Sequence, residues 1–158
     1  DALAVALLEA RGFTVEDFAR SHPGGRLGRR LLLLIDDMMH VGEQMPRSSP
    51  DDRLKDALLE MSRKGLGATV IADQTGQVLG IFTDGDLRRA LDRQVDIHAT
   101  RVVEVMTHQC KTITPGTLAA EALRMMQQYK INALPVVNSA GKLVGVLNMH
   151  DLLRAGAL

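Results

Sequence analysis

The sequence predicts an α/β (α+β) fold made of two tandem copies of one β-α-β-β-α unit. Three observations predict it. Residues 50–89 align with 115–154 at a constant offset of 65 without a gap, and ten of those 40 pairs are identical. Each copy carries an apolar stripe at helical spacing. Each copy also carries two short β-like runs separated by turn residues. The identical pairs are Pro50/Pro115, Ala57/Ala122, Leu58/Leu123, Met61/Met126, Ala68/Ala133, Gly76/Gly141, Gly80/Gly145, Asp86/Asp151, Leu87/Leu152 and Arg89/Arg154. Ahead of Pro50 the register changes by two, because Met39 matches Met106. A unit of about 60 residues is marginal alone, so the two copies are expected to pack as a pair.

The elements follow in order. After Pro50 and Pro115, Asp52 and Thr117 are expected to N-cap a helix. Leu54, Ala57, Leu58 and Met61 fall at i, i+3, i+4 and i+7, and Leu118, Ala122, Met125, Met126 and Tyr129 give a similar stripe. Runs Ala68–Ala72 and Leu134–Val137 read as strands. Asp73-Gln74-Thr75-Gly76 and Asn138-Ser139-Ala140-Gly141 supply turn chemistry. Val78–Phe82 and Leu143–Leu147 read as the next strands. Thr83-Asp84-Gly85-Asp86 and Asn148-Met149-His150-Asp151 then open a second helix. Lys111–Thr114 is expected to be a further short strand. Met38, Met39, Met106, Met125 and Met126 read as core filler.

Composition excludes several functions. The chain has 158 residues, with 19 Lys+Arg balancing 19 Asp+Glu, so no basic field exists to hold a nucleic-acid backbone. Aromatics are 3%, too few for a base-stacking platform. Hydrophobic residues at 46% exclude a disordered chain. No apolar run approaches the ~18 residues of a membrane span. The one cysteine, Cys110, has no metal-ligand spacing around it and fits a reducing, cytoplasmic compartment. No metal site is expected. The chain opens on Asp1 and runs straight into a helical pattern, Ala2–Ala10, with no cap in front of it, as a C-terminal piece of a longer protein would.

The duplicated unit, with Pro135-Val136-Val137 on one strand and Gly80-Ile81-Phe82-Thr83-Asp84-Gly85-Asp86-Leu87 at the strand–helix junction, resembles a CBS domain pair, or Bateman module. The front segment, Ser21-His22-Pro23-Gly24-Gly25-Arg26-Leu27-Gly28-Arg29 followed by Asp36-Asp37-Met38-Met39, resembles the end of the sugar-isomerase (SIS) domain in arabinose 5-phosphate isomerases of the KpsF/GutQ/KdsD family. The resemblance implies a helical SIS remnant and linker over 1–35, a first CBS repeat over 36–95 and a second over 96–158. It implies a parent enzyme that interconverts ribulose 5-phosphate and arabinose 5-phosphate, the entry to Kdo and lipopolysaccharide synthesis. It also implies a homo-oligomer, a tetramer built on dimers of CBS pairs, whose SIS domain partners this module within the same chain.

The candidate sites follow from the junctions. Thr83-x-x-Asp86 has the form of a capping box, Thr83 at N-cap and Asp86 at N3. The resemblance adds a ligand reading: Asp86 accepts both ribose hydroxyls of a nucleotide, and Thr83 with the helix start faces the phosphate. In the second copy Asn148 replaces Thr while Asp151 is kept, so one working cleft is expected rather than two. His150 aligns with Gly85; it is either an exposed turn residue or a phosphate or sugar contact. Thr114 either meets the base or ribose or simply ends its strand. Arg88, Arg89, Lys130, Lys142 and Arg154 are the candidate cations. Arg88 is preferred as phosphate or carboxylate partner, one turn into the helix. His22 is the one candidate for chemistry, as the catalytic His of the family motif. The family's phosphate-binding loops and acidic residues do not accompany it, so this piece is expected to be inactive.

The ligand expected first is CMP-Kdo, the activated end product, which brings a ribose, a phosphate and a sugar carboxylate. AMP or ATP is the second expectation, and a ligand-free structural or oligomerisation module the third. No cofactor is required by any of these.

Overall fold

The computed structural model describes residues 32–156. The expected SIS remnant lies almost wholly outside the described residues, and His22 with it. The helices are α1 (Leu54–Lys64), α2 (Asp84–Asp92), α3 (Ala119–Tyr129) and α4 (Met149–Arg154). The strands are β1 (Arg47–Ser48), β2 (Ala68–Ala72), β3 (Val78–Thr83), β4 (Thr107–His108), β5 (Ala133–Val137) and β6 (Leu143–Asn148). The chain divides into two compact units. One takes in residues 39–115 and 133–148 and so holds both sheets; the other takes in the described parts of 1–38, 116–132 and 149–158.

In the first unit β1 to β4 form one sheet in sequence order, β1 parallel to β2 and the other pairs antiparallel. β5 and β6 form an antiparallel hairpin. The repeat holds down to single residues of the register. Ser48 pairs with Ile71 and Ile113 with Val136, both parallel and both 65 apart. Here the structure corrects the sequence reading. Lys111–Thr114 is no strand; it contributes one bridge, at Ile113.

The outer edges are exchanged between the repeats. Thr107, in the lead-in of the second copy, pairs with Ile81 on β3 of the first. His40, in the lead-in of the first copy, pairs with Val146 on β6 of the second. The Met39/Met106 match therefore marks two strand edges that each cover the other repeat, which removes an open sheet edge from both. The two extra residues of the first copy fall between His40 and Ser48, a stretch holding a 3₁₀ turn at Gly42–Gln44.

Two glycines make that exchange sterically possible. A Cβ on Gly80 would stand 2.3 Å from the Thr107 carbonyl oxygen and 3.0 Å from Met106 Sδ. A Cβ on Gly145 would stand 2.8 Å from Met39 Sδ. The identical glycines and the paired methionines are one feature, a close backbone crossing.

β2 is buried on both faces, and its period of two sorts the core. Ile71, with Phe82 of β3, packs with Leu54, Ala57 and Met61 of α1, Ala90 of α2 and Val102, Val105 and Met106. Ala68, Val70 and Ala72, with Ile81, face Ala133, Leu143 and Val146 of the other hairpin. That second cluster contains the equivalent pairs Ala68/Ala133 and Ile81/Val146, the self-matching arrangement of a local two-fold. Gln77 bridges Lys142, its own equivalent in the repeat. Asp73 and Asn138 build the same hairpin turn: Asp73 Oδ1 accepts from Thr75 N–H (2.8 Å) and Gln77 N–H (3.0 Å), Asn138 Oδ1 from Ala140 N–H and Lys142 N–H (both 3.0 Å). The short Asx side chain folds back on its own turn. Cys110 packs at the margin of this cluster, and burial pushes its thiol pKa up.

In the second unit Ala119, Ala122, Leu123 and Met126 are the buried positions of α3. Leu34 bridges Leu118, and Ile35 N–H donates to the Thr117 carbonyl at 3.0 Å. Tyr129 leaves the expected stripe and is exposed, as the last residue of its helix. Met106 and Met126 are buried as expected, with Met38, Met39 and Met125 half-buried. The expected caps also shift. α1 begins after Arg53 and α3 after Leu118, neither with a side-chain cap. Asp52 Oδ2 instead accepts from Ser49 N–H at 2.9 Å, which holds the turn ahead of the helix.

Candidate ligand-binding site

The junction of β3 and α2 gathers Thr83, Asp86, Arg89 and Thr107 into one polar cluster. β3 ends in extended geometry at Thr83, and α2 starts at the next residue. The capping box forms in full. Asp86 N–H donates to Thr83 Oγ1 at 3.3 Å, Thr83 N–H donates to Asp86 Oδ2 at 2.9 Å, and the Thr83 hydroxyl donates to the same oxygen at 3.1 Å. The other carboxylate oxygen, Oδ1, accepts from Arg89 Nη2 at 2.6 Å and from the Thr107 hydroxyl at 2.9 Å. Asp86 is only 4% exposed, so its charge is tolerable only because these donors surround it.

Arg89 is the cation that meets Asp86; Arg88, expected as the partner of a ligand's phosphate or carboxylate, does not. The reason is helical. Residues three apart share a helix face, while residues two apart do not. Arg88 stands exposed on the neighbouring face. Thr107 was not anticipated at all. The Met39/Met106 match in the lead-ins set the register of the segment, but the extra strand was expected at Lys111–Thr114 and not at Thr107–His108.

The second copy repeats the carboxylate–guanidinium pair. Asp151, on the first turn of α4, is 4% exposed and accepts from Arg154 Nη2 at 2.8 Å. Asn148 ends β6, and its amide nitrogen donates to the Leu66 carbonyl at 2.8 Å. His150 is exposed on the first turn of α4, and Thr114 is exposed beyond the Ile113 bridge. Thr83, Asp86 and Arg88 belong to one compact unit together with Thr114, whereas His150 and Asp151 belong to the other. Of the other candidate cations, Lys142 Nζ donates to Thr75 Oγ1 at 2.9 Å, and Lys130 closes α3. Among the described residues no three His, Cys, Asp or Glu side chains gather as a metal site would need. Among them, too, no helix is long and apolar enough to cross a membrane.

The CBS domain family model matches residues 45–93 and 102–158, two copies that carry these two junctions. The chain belongs to the CBS domain family. As a CBS pair it is 60% identical, over its whole length, to the arabinose 5-phosphate isomerase KdsD of Pseudomonas aeruginosa. It spans 48% of that relative. Among solved structures it resembles the Arabidopsis thaliana CBS-pair protein CBSX2 in complex with AMP, with TM-score 0.67 at 24% identity, covering 78% of this chain and 95% of the other. The CBS pair of protein MJ0100, in complex with 5′-methylthioadenosine and S-adenosyl-L-methionine, gives TM-score 0.68 at 21% identity, covering 77% and 97%. At these identities the likeness is one of fold. It agrees with the tandem CBS pair expected from the repeat.

Proposed function

We propose that this CBS pair is the ligand-sensing module of an arabinose 5-phosphate isomerase, with repeats over 36–95 and 96–158 and the end of a SIS domain over 1–35. The parent enzyme interconverts ribulose 5-phosphate and arabinose 5-phosphate in the cytoplasm, as a homo-oligomer assembled partly through its CBS pairs. The identity to KdsD over the whole chain supports the parent's activity. In this reading His22 serves the parent's isomerisation, and the CBS pair itself does no chemistry.

One observation carries the sensing role: a buried carboxylate at a strand–helix junction, Asp86, with its Arg partner, recurs as Asp151 in the second repeat. A cap alone does not call for an arginine. Asp86 takes the ribose diol and Thr83 with the start of α2 takes the phosphate. Arg88, Thr114, His150 and Asp151 are the remaining contacts of the reading. The preferred ligand is CMP-Kdo, whose ribose, phosphate and carboxylate suit a diol acceptor beside guanidinium groups. An adenine nucleotide is the second reading, favoured by the adenine ligands of CBSX2 and MJ0100.

Thermal unfolding with AMP, ATP, CMP, CMP-Kdo and arabinose 5-phosphate tests it, each compared with Asp86→Ala at its own midpoint. A ligand at ~100 times its Kd adds about 2.7 kcal/mol and raises the midpoint by roughly 5–10 °C. A shift with CMP-Kdo that Asp86→Ala abolishes supports a feedback sensor. A shift with AMP and ATP alone supports the second reading. No shift with any of them refutes both and leaves subunit pairing as the module's role. If binding changes activity, the ligand must bind two states of the parent unequally.

A further inference from the structure

A carboxylate offers about four acceptor positions, and Asp86 has all of them in use. Oδ2 takes the Thr83 amide and hydroxyl, and Oδ1 takes Arg89 and Thr107. A vicinal diol that donates two hydrogen bonds to this carboxylate must therefore displace a donor already there. The four are not equally held. The Thr83 bonds form the helix cap and are fixed by the backbone of β3. Thr107 sits on β4, which is pinned to β3 at Ile81. Arg89 is attached only through its own flexible chain, and its side chain is 65% exposed. A guanidinium that leaves such a pair goes straight into water, so its departure costs least of the four. The pairing is not an accident of one cap. It recurs as Asp151–Arg154, where Arg154 is 66% exposed, although the cap residue Thr83 has become Asn148.

Resting on the reading of Asp86 as the diol acceptor, we propose that Arg89 is the specificity-determining residue of this site. It competes with the diol for Asp86, and once released it is the cation that holds the ligand's phosphate or carboxylate. A neutral nucleoside must break the Arg89–Asp86 pair and gives the guanidinium nothing in return. A nucleotide gives it a new anion within one helical turn. The site thereby selects phosphorylated ligands over their unphosphorylated parents through one exchanged ion pair.

Calorimetric titration of the 158-residue chain with cytidine, CMP, adenosine and AMP tests the exchange. In the unaltered chain the nucleotide of at least one base binds about tenfold or more tightly than its nucleoside. In Arg89→Gln the nucleoside binds more tightly than before, the nucleotide more weakly, and the ratio collapses towards one. Arg89→Lys keeps a charge without the fork and recovers part of the ratio. Arg124→Gln, which makes the same charge change on an exposed i,i+3 pair of α3, leaves the ratio alone. Circular dichroism and the unfolding midpoint verify that each variant folds. If nucleotides bind, Asp86→Ala abolishes binding and Arg89→Gln leaves the ratio as Arg124→Gln does, the exchange is wrong and the sensing role stands. If none of the four probes binds the unaltered chain or Arg89→Gln, the exchange is overturned; if CMP-Kdo fails to bind as well, the diol-acceptor reading falls with it.

Discussion

Adding a single methyl group at Gly80 tests whether the exchanged edges hold the two repeats together. An alanine Cβ there would lie 2.3 Å from the Thr107 carbonyl oxygen, which is backbone and cannot rotate away. It would also lie 3.0 Å from Met106 Sδ and 3.1 Å from its Cε. β4 has only two residues, paired at Gly80–His108 and Ile81–Thr107, so relief requires most of that strand to lift. Its backbone hydrogen bonds are worth about 1 kcal/mol each net. Lifting it also strips packing from Met106, which is buried beside Phe82 and Ile71. Overpacking of this kind costs typically 1–3 kcal/mol, so the whole is about 2–4 kcal/mol. Gly80 is not at positive φ, so alanine brings no backbone strain and its gain in the unfolded state works against the loss. At Gly145 the nearest atoms, at 2.8 and 3.2 Å, belong to the flexible Met39 side chain, and the His40 carbonyl is 3.4 Å away. Gly145→Ala is therefore expected to cost about half as much. Urea unfolding of both variants measures the difference, with unchanged m-values confirming that the comparison concerns stability. Equal costs, or a Gly80→Ala loss within about 0.5 kcal/mol of zero, would refute the crossing.

Three further outcomes are expected. Asp86→Ala removes the reciprocal cap and the Thr107 bond and costs about 2–3 kcal/mol, whereas Arg89→Ala breaks a pair with a largely exposed partner and costs about 1 kcal/mol or less; chemical denaturation that ranked Arg89→Ala as the more costly would contradict the view of Arg89 as a releasable partner. Lys130 closes α3 at φ 55°, where Gly65 closes α1 at φ 73°, so Lys130→Gly is expected to stabilise by about 0.5–1 kcal/mol, read as a rise in thermal midpoint. The Thr75 hydroxyl, hydrogen-bonded to Asp73, holds that carboxyl below its usual 3.8. Its contribution is thus complete above about pH 4 and is lost as pH falls through the lowered value. Asp73→Asn, which copies Asn138 of the second repeat, should flatten the acid limb of the stability–pH curve, and an unchanged limb would remove Asp73 from the acid response.

Much of the fold was legible because repetition is visible in sequence. A fixed offset of 65 aligned strands, turns and junctions to within a residue or two, and the CBS resemblance rested on that register. The cap at Thr83–Asp86 was legible because an N-cap is local chemistry between residues three apart. The caps at Asp52 and Thr117 were not, since their helices start one or two residues later and Asp52 finds a donor in the preceding turn. That Arg89 meets Asp86 was open to helix periodicity, since residues three apart share a face. Thr107 could not, because its bond to Asp86 spans 21 residues.

Sequence by itself determined the duplicated unit, its register, the matched Asp86 and Asp151 and the family, because local propensity and a duplicated pattern need no knowledge of distant neighbours. The tertiary structure decided which strand covers which edge, why Gly80 and Gly145 recur, and which side chains occupy Asp86. Those outcomes depend on the lead-in of each repeat crossing to the other repeat's outer strand. A short two-residue edge carries almost no propensity of its own, so only the sheet that it completes gives it a place.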